Sequence, residues 1–192
     1  MISDFLFSIV NHRLVGGGVV HLECPKNRRE RGEPDMIILH YTAGVNAMAS
    51  ARFLARPDVK VSAHVVIGRE GQVIQLVPFN IEAWHAGKSD FKGRSGLNYC
   101  SIGIELDNLG QLRLEGGKFM AECGREVSVR EVYVDDTEGV PTYWHNYTDV
   151  QMSVLKEVCD LLVATYPIGD IVGHSDVTSR KVDPGPALAD LR

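Results

Sequence analysis

Several common signatures are missing from this sequence. The four cysteines form no C-x-x-C pair, which argues against a zinc knuckle or a redox dithiol, and we expect buried free thiols at Cys24, Cys100, Cys123 and Cys159. The triple glycine at residues 16–18 does not continue into G-x-x-x-x-G-K-[ST], so a P-loop nucleotide enzyme is not predicted. There is also no apolar run of the ~18 residues that a membrane helix needs, and we expect no membrane span.

Excess positive charge is absent too. The formal net charge is -5 and the pI is about 5.8, so the basic footprint of a nucleic-acid-binding protein is missing. Asp4 interrupts the apolar amino end, and no positive region or small-residue cleavage site accompanies it, so no signal peptide is predicted and a cytoplasmic location is expected. A chain of 192 residues that is 44% hydrophobic and 23% charged suits one globular domain.

Buried strands and two helices alternate along the chain. MIILHYT (36–42) indicates a strand buried on both faces, and VNAMASARFL (45–54) indicates a helix that ends near Pro57. VSAHVVIG (61–68) and QVIQLVP (72–78) flank a short glycine-containing loop, which predicts a hairpin. CSIGIELD (100–107) alternates apolar and polar residues with strand period, and Glu105 lies on its polar face.

The carboxyl-terminal half repeats this pattern after a less informative segment. Thr148 and Gln151 form a predicted capping box for a helix that runs to Tyr166, and IVG (171–173) indicates a short strand. Residues 108–143 contain short strand-like runs and are interpreted as an insertion that decorates the sheet; residues 1–34 are interpreted as an amino-terminal extension. The pattern predicts a single α/β domain with a central mixed sheet flanked by helices.

Two histidines occupy equivalent positions at strand ends. His40 follows MIIL and His174 follows IVG, so their imidazoles converge if the two strands are neighbours. Asp183 lies in a stiff Asp-Pro-Gly-Pro turn, and two histidines with one carboxylate are the composition of a catalytic zinc site with an open position for water. A satisfied polar histidine is the more common explanation for any one such residue, and spacing alone leaves both alternatives open.

Five segments, in order, carry a resemblance: ILHYTAG, SAHVVI, WHAG, NYCSIGIEL and GHSDVTSRKVDPGP. Together they resemble the zinc-dependent N-acetylmuramoyl-L-alanine amidases of the second amidase family, which share their fold with peptidoglycan recognition proteins and phage amidase lysozymes. The resemblance covers roughly residues 35–107 and 144–188.

The resemblance implies roles at named positions. His40, His174 and Asp183 would hold Zn²⁺, and Lys181 would stabilise the oxyanion of a tetrahedral intermediate. Glu105 would act as general base and acid, with a raised pKa because it is set in a mostly apolar strand. The alternative for Glu105 is a buried carboxylate paired with an arginine or lysine.

Further positions would contact a peptidoglycan or muropeptide substrate. Trp84 and His85 would line the groove for the glycan or peptide. His64 would be either a buried structural histidine or a substrate contact, and Asn98 would either position a peptide carbonyl or cap a loop. Arg180 would pair with a stem-peptide carboxylate or remain a solvated charge.

The resemblance therefore implies hydrolysis of the amide between N-acetylmuramic acid and L-alanine. The ELDN sequence at residues 105–108 and the insertion favour a wall-cleaving, endolysin-like enzyme over a muropeptide-recycling enzyme, and we expect no separate wall-binding module after residue 192. The alternative is a non-catalytic peptidoglycan-binding module, which a complete set of metal ligands argues against.

Overall fold

The computed structural model describes residues 6–137 and 139–191. Its α-helices are α1 (Ala47–Ala55), α2 (Asp149–Thr165) and α3 (His174–Val177). Its strands are β1 (Phe7–Val10), β2 (Arg13–Gly16), β3 (Val20–His21), β4 (Met36–Tyr41), β5 (Val65–Ile67), β6 (Val73–Gln75), β7 (Asp90–Phe91), β8 (Arg94–Ser95), β9 (Ser101–Leu106), β10 (Gln111–Glu115), β11 (Lys118–Ala121), β12 (Glu126–Val127), β13 (Val132–Asp135), β14 (Thr142–His145) and β15 (Asp170–Gly173). Short 3₁₀ turns cover Leu97–Tyr99, Val129–Glu131 and Pro186–Leu191.

A six-stranded mixed sheet forms the centre of the molecule, in the order β15-β4-β9-β5-β6-β3. Strands β15, β4, β9 and β5 run parallel to one another, while β6 is antiparallel to β5. Both faces of the parallel strands are covered, which explains why β4 is a continuous apolar run from Met36 to Leu39. The predicted mixed sheet, the β5–β6 hairpin and the strand around Glu105 are confirmed.

Helix α2 packs on one face of this sheet. Its apolar side, which includes Leu155, Val158 and Leu162, joins the main core. Thr148 accepts a hydrogen bond from the backbone N–H of Gln151, as predicted for the helix start. The second half of the predicted capping box is wrong, because the Gln151 amide instead donates to the carbonyls of Ile67 and Asp107 and so attaches the helix to the sheet.

The amino-terminal residues contribute to the domain itself. Strands β1 and β2 form a hairpin, and Phe7 and Leu14 are buried in the main core. The Leu14 N–H donates to the Gln75 side chain, and β3 pairs with β6 at the edge of the central sheet. From residue 6 onward, the segment interpreted as an extension is therefore integral to the fold.

The predicted insertion builds a separate sheet instead of decorating the central one. Strands β10 to β14 pair antiparallel in the order β12-β11-β10-β14-β13. A small core of Leu109, Leu112, Ala121 and Val127 stabilises this second sheet. Cys123 lies in its β11–β12 turn and is exposed, so the expectation of buried thiols is confirmed only for the other three cysteines. Within residues 6–137 and 139–191, no helix has both the length and the apolar character needed to cross a bilayer.

Candidate metal and catalytic site

Strand register brings the two predicted histidine ligands together. Strands β15 and β4 are parallel neighbours, and Gly173 pairs with Leu39. His174 and His40 each follow directly on that pair, so both imidazoles emerge at the same carboxyl edge of the sheet. Ligand sites in α/β proteins form at this edge because strand ends and their following loops converge there.

Asp183 completes the group. The His40 Nδ1 atom lies 3.1 Å from His174 Nδ1, and each of these nitrogens lies about 3 Å from Asp183 Oδ2, at 3.0 Å and 2.9 Å. All three residues are buried. A tetrahedral ion with bonds of about 2.0–2.1 Å requires ligand atoms about 3.3 Å apart, so this triad has the spacing, the donor types and the burial of a three-ligand metal site.

Contacts from α3, from β14 and from the residues just after β14 support the loop that carries Asp183. The Asp183 carbonyl accepts from the Ser175 N–H, and the Tyr147 hydroxyl donates to the Pro184 carbonyl at 2.7 Å. The Trp144 ring lies against Gly185, where an added Cβ would come within 2.7 Å of it and the backbone φ is +82°. Only glycine fits that close approach without strain, so the glycine between the two prolines has a packing reason.

His85 fixes the orientation of His40. The His85 Nε2 atom lies 3.3 Å from the Ser101 carbonyl oxygen, which can only accept, so we assign the proton to Nε2. His85 Nδ1 is then the acceptor for His40 Nε2–H at 3.1 Å, and His40 Nδ1 is left with a lone pair directed at the triad. Metal-bound histidines commonly donate their other N–H in this way, which sets the tautomer.

Charge within the triad follows from its burial. Burial lowers the pKa of His40, which favours the neutral imidazole that a metal requires. Burial opposes ionisation of Asp183, but the His174 and His40 rings, whose Nδ1 atoms lie 2.9 Å and 3.0 Å from its Oδ2 atom, outweigh it and hold the pKa of Asp183 well below its ordinary value. The ionised Asp183 carboxylate, beside the neutral His40 imidazole, therefore presents one negative charge to a cation.

Glu105 lies beside this triad because it pairs with His40 in the β4–β9 register. Burial and, to a smaller extent, the Asp183 charge raise its pKa to about 8 against the opposing effect of Lys181. Its Oε2 atom is buried without a hydrogen-bond partner, and within the described ranges it forms no ion pair with an arginine or lysine. The paired structural alternative for Glu105 therefore has no support in the structure.

An open cavity of about 610 Å³ lies over the triad, within the range typical of small-ligand sites. Its lining contains the three triad residues, Glu105 and His85, together with the cations Lys181 and Arg180. It also contains the apolar side chains of Trp84, Phe53 and Val61, of which Phe53 is half exposed. The cavity therefore combines polar groups with apolar surface that suits a sugar or peptide.

The structure separates the predicted substrate contacts into two groups. Trp84, Arg180 and Lys181 lie on the cavity surface, although the Arg180 guanidinium also donates to the Lys88 carbonyl. His85 lies under His40, so its position suits ligand orientation more than substrate contact. Asn98 accepts from the N–H groups of His85 and Ala86, which matches the loop-capping alternative.

His64 is the clearest departure from the substrate group. Its side chain is fully buried, its Nδ1 accepts from the Gly103 N–H, and its Nε2 contacts the Ile81 carbonyl and Arg31. Burial lowers its pKa well below the ordinary value. The substrate-contact interpretation of His64 is therefore corrected to the buried structural alternative.

Three further residues near the site were not predicted from the sequence. Ser101 anchors His85, Tyr41 extends the cavity wall next to His40, and Glu122 reaches the cavity from the second sheet. The serine and tyrosine lie within motifs that were noticed for other residues. Glu122 lies in the insertion, where no pattern indicated contact with the site.

Comparison with known proteins adds a family to this geometry. The family model described as N-acetylmuramoyl-L-alanine amidase matches residues 30–186. The 1,6-anhydro-N-acetylmuramyl-L-alanine amidase AmpD of Salmonella typhimurium is 31% identical over 188 residues, which is 88% of this chain and 81% of that protein.

Two solved structures share the architecture. A crystal structure of an AmpD derivative superposes with a TM-score of 0.62 at 26% identity and covers 93% of both chains. The amidase AmiD of Escherichia coli, in complex with its substrate anhydro-N-acetylmuramic acid-L-Ala-D-gamma-Glu-L-Lys, superposes with a TM-score of 0.62 at 26% identity, over 95% of this chain and 62% of that chain.

Proposed function

The chain belongs to the N-acetylmuramoyl-L-alanine amidase family and is an amidase, and from that premise we propose that it cleaves soluble anhydro-muropeptides with a zinc ion held by His40, His174 and Asp183. The observation that carries this proposal is the buried triad, whose donor atoms lie within 3.1 Å of one another beside Glu105. Its mix of two imidazoles and one carboxylate, with an open cavity above, is typical of catalytic zinc sites.

When bound, zinc would polarise the scissile carbonyl and make a water molecule more acidic at neutral pH. Glu105 would take the proton of the attacking water and pass it to the amide nitrogen as the bond to L-alanine breaks. A cation in the triad would lower the raised pKa of Glu105 towards neutrality, where a carboxyl group can both accept and release a proton.

Lys181 would stabilise charge during the same step. Its side chain lines the cavity two residues before Asp183, on the same loop. The carbonyl oxygen becomes negative as water adds, and a fixed ammonium group near it lowers the barrier by an amount comparable to an oxyanion-hole donor, about 3 kcal/mol.

The proposed preference for soluble substrates differs from the interpretation of the ELDN sequence at residues 105–108, which favoured a wall-cleaving enzyme. The relative with 31% identity is named for 1,6-anhydro-N-acetylmuramyl-L-alanine, and the AmiD neighbour was solved with an anhydro-muropeptide. A binding module without catalysis would not need a buried carboxylate such as Glu105, whose Oε2 atom lacks a partner.

Metal removal and a substrate comparison test the proposal. Treatment with a chelator should abolish release of L-alanyl peptides from a soluble anhydro-muropeptide, and one equivalent of Zn²⁺ should restore it. The untreated enzyme should cleave this substrate faster than intact sacculi, as measured by chromatography of the products. Full activity after complete metal removal would contradict the zinc assignment, and faster cleavage of sacculi would contradict the substrate preference.

His85 gives a second prediction at the same site. His85→Phe keeps a ring in the space beside Gly103 but removes the acceptor for His40 Nε2–H, so zinc affinity should fall by about 10–100-fold. A competition titration with a chelating dye measures this affinity. His21→Phe, at an exposed histidine of β3, is the matched control and should bind zinc like the unmodified chain. Unchanged affinity in His85→Phe would show that His85 does not position His40.

A further inference from the structure

Glu122, which belongs to the segment that forms the second sheet, lines the cavity over the triad. It directly follows β11, and among the described residues of the 108–143 segment it alone lines this cavity. Tyr41, which directly follows the triad residue His40, lines the same cavity. The carboxylate therefore lies on the cavity wall near the triad but outside it.

Glu122 is an exposed residue. In the described part of the chain it forms no ion pair or hydrogen bond, whereas Glu115 and Glu126 of the same sheet pair with Arg113 and Lys118. The other two carboxylates of the cavity have roles at the triad, since Asp183 contacts both histidines and Glu105 lies beside them. Glu122 is thus the cavity carboxylate that is free to pair with a ligand.

A stem peptide offers charges of both signs to this cavity. In the substrate bound to AmiD, the D-γ-Glu residue carries a free carboxylate and the L-Lys residue a free amino group. Arg180 and Lys181 supply positive charge to the cavity lining, and Glu122 supplies negative charge outside the triad and Glu105. This distribution complements a peptide with a carboxylate followed by an ammonium group.

We propose that Glu122 binds the side-chain amino group of the third stem-peptide residue and so makes the enzyme prefer substrates with a free amine there. The inference rests on the proposed amidase function and deepens it by assigning a specificity determinant. Because the amino group is remote from the scissile amide, the interaction is made equally in the ground state and the transition state. It should therefore act mainly on KM.

Two soluble substrates test this assignment. One is an anhydro-N-acetylmuramyl tripeptide that ends in L-Lys, and the other is the same compound with the lysine Nε acetylated. The unmodified enzyme should favour the free amine by about two- to fivefold in kcat/KM, which is the range expected for one exposed charge pair. Glu122→Gln should bring the two substrates to parity, and Glu122→Lys should favour the acetylated one.

Glu126→Gln is the matched control, because it removes one carboxylate from the same sheet without touching the cavity. It should keep the preference of the unmodified enzyme. Equal rates on both substrates with the unmodified enzyme, or an unchanged preference in Glu122→Gln, would overturn the inference while leaving the amidase function intact. Failure to cleave either substrate, or the corresponding muramyl dipeptide, would instead contradict the proposed substrate class.

Discussion

Replacing His174 by alanine is expected to abolish stoichiometric zinc binding and to lower kcat/KM by about 10⁴-fold. The substitution leaves His40 and Asp183, whose donor atoms are 3.0 Å apart, as the remaining pair of protein ligands. Two donors hold zinc far more weakly than the three of a catalytic site. Loss of the ion removes several kcal/mol of transition-state stabilisation, and each 1.36 kcal/mol corresponds to tenfold in rate.

Metal analysis and kinetics on the same preparations check this expectation. His21→Ala is the matched control, since His21 is exposed on an edge strand and has no contact with the triad. Circular dichroism should show that both variants are folded, because the His174 ring is not part of the main apolar core. One zinc per chain with near-normal affinity in His174→Ala would refute the ligand assignment.

The convergence of His40 and His174 could be predicted because the strands before them have clear local signals, whereas their assignment with Asp183 as metal ligands came from the family resemblance. Strands β4, β9 and β15 are short apolar runs, and parallel strands buried on both faces have this composition. His40 and His174 come directly after such runs, and neighbouring parallel strands end at the same sheet edge. The position of Glu105 followed from strand alternation, since it shares a face with Ser101 and lies opposite Ile104, whereas its catalytic role came from the resemblance.

Contacts between distant segments were harder to predict. The position of His85 beneath His40 depends on how the loop before β7 folds over β9, and no local pattern reports such a contact. The residues of the second sheet alternate weakly, because strands such as β10 and β13 are mostly exposed. Short strands were expected there, but their pairing, and the approach of Trp144 to Gly185, are long-range features.

The amino-terminal hairpin was missed for a specific local reason. A two-residue turn between β1 and β2 places both Asn11 and His12 at positive φ, 49° and 61°. Asn-Gly is the usual signal for such a turn, and histidine in the second position hides it. Burial of Phe7 and Leu14 in the main core makes this conformation favourable despite the turn residue.

The raised pKa of Glu105, which suits proton transfer, should lower the stability of the metal-free protein at alkaline pH. Its pKa of about 8 lies above the ordinary value of 4.5, so the folded metal-free protein holds a proton that the unfolded chain releases between these pH values. Stability should therefore be unaffected by Glu105 below pH 4.5 and should fall as the pH rises towards 8. Because the side chain keeps partial exposure, we expect a loss of about 2 kcal/mol, less than the full linkage.

Glu105→Gln should then have opposite effects on turnover and on stability. With zinc bound in normal amount, kcat should fall by about 10²–10⁴-fold, because glutamine cannot accept the proton of the attacking water. In the metal-free protein, urea unfolding at pH 8.5 should show the variant to be more stable than the unmodified chain by about 2 kcal/mol, and the difference should vanish near pH 4.5. Glu115→Gln is the control, because Glu115 is an exposed glutamate paired with Arg113. It should change neither kcat nor the free energy of unfolding appreciably. Loss of zinc from Glu105→Gln would show that Glu105 is a ligand or a structural support. Retained zinc, lost turnover and a pH-dependent gain in stability would together identify a buried carboxyl group that transfers protons in catalysis and lowers the free energy of unfolding when it is ionised.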